Sequence, residues 1–283
     1  MKVSFYGVRG STPCPSPSNR RYGGNTAFVA LEVDGEDPIA FDLGTGARVW
    51  GETQPMDGTF RGSALVTHIH WDHVQGLPFF MPINQKGSRL DICGPAQMEG
   101  PLGEVFSDFM RPPYFPVQYS DLHGDICFHD VMEDELSIGN AKVMVRPVPH
   151  CGPTVGYRVD WDGVSVAYIS DHQAPLTLDR VDKRVLELCD GVDLLIHDAQ
   201  FTLEEFQERY YWGHCTVDYA VLVAREAGAR KLALFHHDPS HDDDMVDALL
   251  QQARELSESW NGPEVIAASE RMSLSLEAAR RAV

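Results

Sequence analysis

Apolar and polar positions change period several times along this chain. Lys2-Val3-Ser4-Phe5-Tyr6-Gly7-Val8 alternates one by one, as a half-buried strand does, and runs into the breakers Thr12-Pro13-Cys14-Pro15-Ser16-Pro17. The same reasoning predicts strands over Ala27 to Val33, Pro38 to Leu43 and Arg89 to Gly94, and an apolar run at Ala64-Leu65-Val66. Leu77 to Met81 suits a short helix or turn. Gln97 to Met110 carries Met98, Leu102, Val105, Phe106, Phe109 and Met110 at broadly helical spacing, despite Pro101.

The second half repeats the strand-rich beginning. Ala141 to Val148, Val155 to Asp160, Val164 to Ser170 and Leu194 to His197 read as strands, and Thr216 to Ala227 and Asp242 to Ser257 as helices. Gly228 stops the first helix, and Asp242, Asp243 and Asp244 suit the first turn of the second because carboxylates favour the positive end of the helix dipole. Apolar strands ending in polar residues and alternating with helices predict an α/β fold of sheets covered by helices. No inter-domain linker is visible, so one domain over 1–283 is expected.

Chemistry concentrates at Thr67-His68-Ile69-His70-Trp71-Asp72-His73, directly after the Ala64-Leu65-Val66 run. Read as extended chain, it turns His68, His70 and Asp72 to one side where a strand becomes a loop, with His73 one step on. Three imidazoles and a carboxylate so close are costly to keep dry. They offer nitrogen and oxygen ligands suited to zinc, manganese or iron, most economically split between two adjacent metals. Further strand ends supply His150, Asp171 and the pair His236-His237.

Net charge qualifies this picture. At −19 the chain lacks the broad basic surface that neutralises nucleic-acid phosphates, so no large nucleic acid is expected as a partner. Residues 1–31 nevertheless contain Lys2, Arg9, Arg20 and Arg21 and no acidic residue, which makes Arg9, Arg21 and Asn25 candidates to hold an anion. The six cysteines are scattered without a Cys-x-x-Cys pair, as in a reducing compartment, and no apolar run suits a signal peptide or a membrane span. A cytoplasmic location away from membranes is expected.

His68-x-His70-x-Asp72-His73 resembles the signature of the metallo-β-lactamase superfamily of binuclear hydrolases. The resemblance implies a four-layer αβ/βα sandwich holding two divalent metal ions, zinc first, with manganese and iron compatible. It places His68, His70 and His150 on the first metal, Asp72, His73 and His236 on the second, and Asp171 across both. At the double histidine, alignment with related phosphodiesterases favours His236 over His237. An Asp-x-Gly turn beneath the metal motif makes Asp42 a candidate support.

Asp198-Ala199-Gln200-Phe201 and Gly213-His214-Cys215-Thr216 look like the Glu-Ala-Thr-Phe and Gly-His-Ser-Thr motifs of ribonuclease Z and its smaller phosphodiesterase relatives, including the phosphoribosyl cyclic phosphodiesterase. This implies hydrolysis by a metal-bridging hydroxide that Asp72 orients, with His214 stabilising charge or protonating the leaving oxygen and Asp198 in the catalytic set. The tRNA-processing enzymes carry a long arm between the positions matching His150 and Asp171. Here that interval is short, which points to a small, cyclic or linear phosphodiester as substrate. A thioester, lactone or β-lactam is the alternative. Dimers are common in the branch, so a homodimer is expected.

Overall fold

Pairing changes from antiparallel to parallel once in each half of the chain, and that change organises the fold. The computed structural model describes residues 1–278. Its strands are β1 (Lys2–Gly7), β2 (Phe28–Glu32), β3 (Ile39–Phe41), β4 (Arg61–Leu65), β5 (Arg89–Gly94), β6 (Asp125–Asp130), β7 (Asp134–Ile138), β8 (Ala141–Pro147), β9 (Val155–Trp161), β10 (Val164–Ile169), β11 (Leu194–Asp198), β12 (Lys231–Phe235), β13 (Glu264–Ala267) and β14 (Ser273–Ser275). Among the described residues they form two seven-stranded sheets, in the orders β14-β1-β2-β3-β4-β5-β6 and β13-β12-β11-β10-β9-β8-β7.

In the first sheet β14 through β3 pair antiparallel and β3 through β6 parallel. The second repeats this, with β7 through β10 antiparallel and β10 through β13 parallel. The halves are thus copies in topology that share no visible repeat in sequence. Parallel neighbours need crossovers, which helices supply. α1 (Gly46–Gly51), α2 (Trp71–Val74) and α3 (Leu102–Phe109) connect β3 to β6, and α4 (Lys183–Cys189), α5 (Leu203–Arg209), α6 (Val217–Glu226) and α7 (Asp243–Ser259) connect β10 to β13.

Three apolar layers hold the four structural layers together. Phe5, Val29 and Phe41 of the first sheet meet Tyr157, Tyr168 and Phe235 of the second, with Phe41 stacked on Tyr168 at 4.6 Å. Trp50, Phe60 and Phe80 cover the outer face of the first sheet, while Leu188, Tyr219, Val246 and Leu249 cover the second. Each buried aromatic or aliphatic side chain contributes on the order of 2 kcal/mol. The result is a four-layer αβ/βα sandwich.

Local chemistry explains where the elements depart from the periodicity. Gln97 and Gly100 close a tight turn on each other's backbones, so the helix expected from Gln97 starts after Pro101, at Leu102. Leu77–Phe79 and Met81–Asn84 are single 3-10 turns. β6 and β7 are polar outer strands whose Asp125, Asp130, Asp134 and Glu135 are exposed, and this hides their alternation. Thr202 and Glu205 cap α5 reciprocally, a start signal present in the sequence. No described helix is long and apolar enough to cross a membrane.

Candidate metal centre

The centre lies where strands of both sheets run out at one edge, the usual ligand position of parallel sheets. The extended reading of the motif holds as far as His70. Trp71 then opens α2, so Asp72 and His73 sit on a helical turn instead of continuing the alternation. That turn brings Asp72 and His73 to His236, while the His73 ring stays 4.2 Å from that of His68.

Potential ligand atoms of His68, His70, His150 and Asp171 lie within 4.8 Å of one another, as do those of Asp72, His73 and His236. Asp171 joins the groups. Its Oδ1 is 3.2 Å from His73 Nε2 and 3.1 Å from His236 Nε2, while its Oδ2 is 3.5 Å from His68 Nε2 and 3.6 Å from His150 Nε2. Asp72 Oδ2 lies 3.2 Å from His73 Nε2 and 3.1 Å from His236 Nε2.

Hydrogen bonds on the far side of the rings fix which nitrogen faces the centre. Asp42 Oδ2 accepts from His73 Nδ1 at 2.8 Å and from the Tyr168 hydroxyl at 2.7 Å, while its Oδ1 accepts from the Thr67 backbone at 2.8 Å. Gly213 O accepts from His150 Nδ1 at 2.7 Å, and Gln200 Oε1 accepts from His236 Nδ1 at 2.8 Å. His237, by contrast, donates from Nε2 to Ala268 O at 2.9 Å. Carbonyl or carboxylate behind a ligand imidazole is the usual support of a metal-binding histidine.

These donors fit divalent cations on the chain's own geometry. His73 Nε2 is buried with no hydrogen-bond partner, and His68 Nε2 and His70 Nδ1 stand only 2.7 Å apart. Burial pushes the His150 pKa down to about 4 and lowers those of His68 and His70, so these rings offer lone pairs. Burial opposes ionisation of Asp171, yet the imidazoles of His236, His73 and His68 outweigh it and hold the carboxyl well below its usual range. The His68, His70 and His150 lone pairs beside buried carboxylates form a cation-seeking pocket.

Backbone conformation carries part of the cost. Asp42, Asp171 and His236, each just beyond a strand, have φ of 57°, 59° and 59°. Left-handed backbone is uncommon outside glycine, and its recurrence at three polar strand ends marks where the fold bends to aim side chains.

His214 and Asp198 flank the second group. His214 Nδ1 is 3.1 Å from Asp198 Oδ2 and 3.8 Å from Asp171 Oδ2. Burial resists protonation of this ring, but Asp198 and Asp171 prevail and raise its pKa to about 9. Asp198 also accepts from the backbones of His172 and Gln200, each at 3.0 Å. A cavity of about 550 Å³ opens over the centre, with Ser11, Trp71, Asp72, Asp171, Trp212 and His214 in its wall.

The expected anion-holding residues require correction. The Arg9 guanidinium is buried and donates to Gly23 O at 2.8 Å, Asp238 O at 3.0 Å and His241 O at 2.6 Å. Arg21 pairs with Asp244 at 2.6 Å and with Asp247, and Asn25 Nδ2 donates to Glu270 at 3.1 Å. The acidic partners of Arg21 and Asn25, and two of the three carbonyls that hold Arg9, come from residues 238–270, remote in sequence and adjacent in space. What the N-terminal loop does bring is backbone: Ser11 N donates to Asp72 Oδ2 at 2.7 Å. Gly10 lies so close to the His236 ring that a Cβ there would come within 2.5 Å of it. No side-chain signal marks either contact. Gln200 was legible only as a motif position, and its bond to His236 gives that position a purpose.

Residues 56–237 match the family model described as the β-lactamase superfamily domain. The ribonuclease Z of Metallosphaera sedula is 26% identical over 308 residues, covering 90% of this chain and 94% of that protein. The structure of human tRNase Z, short form, superposes with a TM-score of 0.69 at 21% identity, over 97% of this chain and 99% of that one. A diphosphatase from the PhnP family superposes with a TM-score of 0.68 at 18% identity, over 98% of each chain. The ribonuclease names of these relatives overturn the expectation that large nucleic acids are excluded as partners. Net charge misled because it sums the whole surface and says nothing about the few contacts made at one phosphate. With more than half of its length matched by that family's model, and with the His-x-His-x-Asp-His loop at the meeting edge of two sheets, the chain belongs to the metallo-β-lactamase superfamily of metal-dependent hydrolases.

Proposed function

We propose that this chain is a binuclear metal-dependent phosphodiesterase. The observation that carries the reading is the division of Asp171, one oxygen toward His73 and His236 and the other toward His68 and His150. In this reading His68, His70, His150 and Asp171 hold one cation and Asp72, His73, His236 and Asp171 the other. Divalent cations bound there supply Lewis-acid activation of water and neutralise charge on the phosphoryl oxygens. Zinc suits the donor set, and manganese and iron share its preferences.

The chain's own residues then position and protonate. Ser11 N fixes Asp72, which keeps one carboxylate oxygen oriented at the centre. Asp198 engages His214 Nδ1, leaving Nε2 free to donate to the departing oxygen of the diester. The pairing of a protonated imidazole with a phosphodiester, and the ribonuclease Z relatives, favour this reaction over carbonyl hydrolysis. β9 and β10 are joined by the tight turn Asp162-Gly163, so no long arm is inserted between His150 and Asp171, and this supports a small diester as substrate. RNA is the second diester source, favoured by relatives that align over most of the chain.

The test is turnover by protein reconstituted separately with zinc and manganese. Its substrates are bis(p-nitrophenyl) phosphate, a tRNA precursor with a 3′ extension, a thioester, a lactone and a β-lactam. Diester cleavage that is lost in His70→Ala supports the proposal. Turnover of carbonyl substrates alone overturns it.

A further inference from the structure

Two of the chain's tryptophans are packed as tryptophans usually are: Trp50 is 2% and Trp161 3% exposed. Trp71 and Trp212 differ, at 73% and 48%, and both line the cavity over the metal centre. Leaving indoles in water forgoes a large apolar burial, so exposed ones at the mouth of a site call for a partner.

Their backbones are anchored by the centre itself. Trp71 lies between His70 and Asp72 in the first turn of α2. Trp212 precedes Gly213, whose carbonyl holds His150. The Arg209 guanidinium sits 5.4 Å from the Trp212 ring centroid, bracing that indole through a cation–π contact. Each indole therefore leaves the chain beside a residue of the centre, and Arg209 braces that of Trp212. Indole faces recognise neutral planar rings and give an anionic phosphate little, while cations held by the residues at the cavity floor would do the reverse.

We infer that Trp71 and Trp212 are specificity walls for a nucleobase carried next to the scissile phosphodiester. The inference deepens the phosphodiesterase reading and rests on it for the placement of the phosphate. The base comes from a mononucleotide or from the end of an RNA strand, and stacking does not distinguish the two because every base has a π-face.

The experiment is calorimetric titration of zinc-loaded full-length protein with AMP, ribose 5-phosphate and a short single-stranded oligoribonucleotide, in wild type, Trp71→Ala, Trp212→Ala and the two Trp→Phe variants. Zinc content is measured for each. The expected result is that AMP or the oligonucleotide binds at least about tenfold more tightly than ribose 5-phosphate. Each Trp→Ala variant should lose about tenfold for the base-bearing probe, and each Trp→Phe variant should keep most of that preference. Which base-bearing probe wins identifies the source. Equal affinity for AMP, oligonucleotide and ribose 5-phosphate in wild type overturns the inference, as does equal loss of all three in both alanine variants at normal zinc content. Because Trp71 adjoins two ligands, Trp212→Ala alone suffices if Trp71→Ala fails to fold. Diester hydrolysis without any base preference would remove the walls and leave the enzyme. Base preference without diester hydrolysis would do the opposite.

Discussion

Gln200 Oε1 accepts from His236 Nδ1 at 2.8 Å, and the same amide donates from Nε2 to Asp238 Oδ2 at 3.3 Å. A side-chain amide can accept from a ring nitrogen and donate to a carboxylate at once. Gln200→Ala should lower metal affinity at the Asp72, His73, His236 group by about 10- to 100-fold, the usual cost of losing a support behind a ligand histidine. Zinc competition with a chelator checks this. Unchanged affinity would show that His236 needs no such support.

Two glycines test the two groups separately. A Cβ on Gly10 would meet His236 ring atoms at 2.5 Å, and one on Gly213 would meet the His150 ring at 2.3 Å. Gly10→Ala should deplete the cation held by His236 and Gly213→Ala the one held by His150. Gly213 has φ of 96°, so its variant also carries backbone strain. Metal analysis of purified variants should give one equivalent in each where the parent holds two.

Asp42 accepts from the Thr67 backbone, the Thr67 hydroxyl, His73 and Tyr168. Asn tolerates the left-handed backbone at this position, so Asp42→Asn changes the acceptor without changing the fit. An amide turned toward buried donors leaves at least one unsatisfied, and the metal-free protein should lose about 1–3 kcal/mol in urea denaturation. Tyr168→Phe, which removes a single bond, should cost about 1 kcal/mol.

His214→Ala should leave metal content at the parental level while lowering diester turnover by about 10²- to 10⁴-fold, the range for a lost general acid. Asp198→Asn should fall between the parent and His214→Ala, because the ring keeps a partner that no longer favours its charge. Loss of metal in His214→Ala would make it a ligand, as its place in the third donor group, with Asp171 and His236, allows.

His197 and His172 share a buried hydrogen bond of 3.0 Å. Burial lowers the His197 pKa from its usual 6.5, so the unfolded chain binds a proton that the folded chain refuses. Stability from this neutral ring is therefore complete above about pH 6.5 and declines as pH falls below it. Denaturation midpoints of the metal-free protein should drop on acidification, and His197→Asn should flatten that slope.

The sequence determined the character of the centre. Six contiguous residues, His68 to His73, carry most of one donor set and half of the other, and short-range spacing is preserved by any fold that keeps the loop. Amphipathic strands and the acidic start of the helix near Asp242 were also legible, because alternation and first-turn charge are local properties. Tertiary structure alone decided how the donors group, since α2 carries Asp72 to His236, 164 positions later in the chain. It also decided that Arg9, Arg21 and Asn25 serve the scaffold, since each has a partner beyond position 235. Charge and spacing are written along the chain, whereas pairing depends on distances that exist only after the two sheets meet.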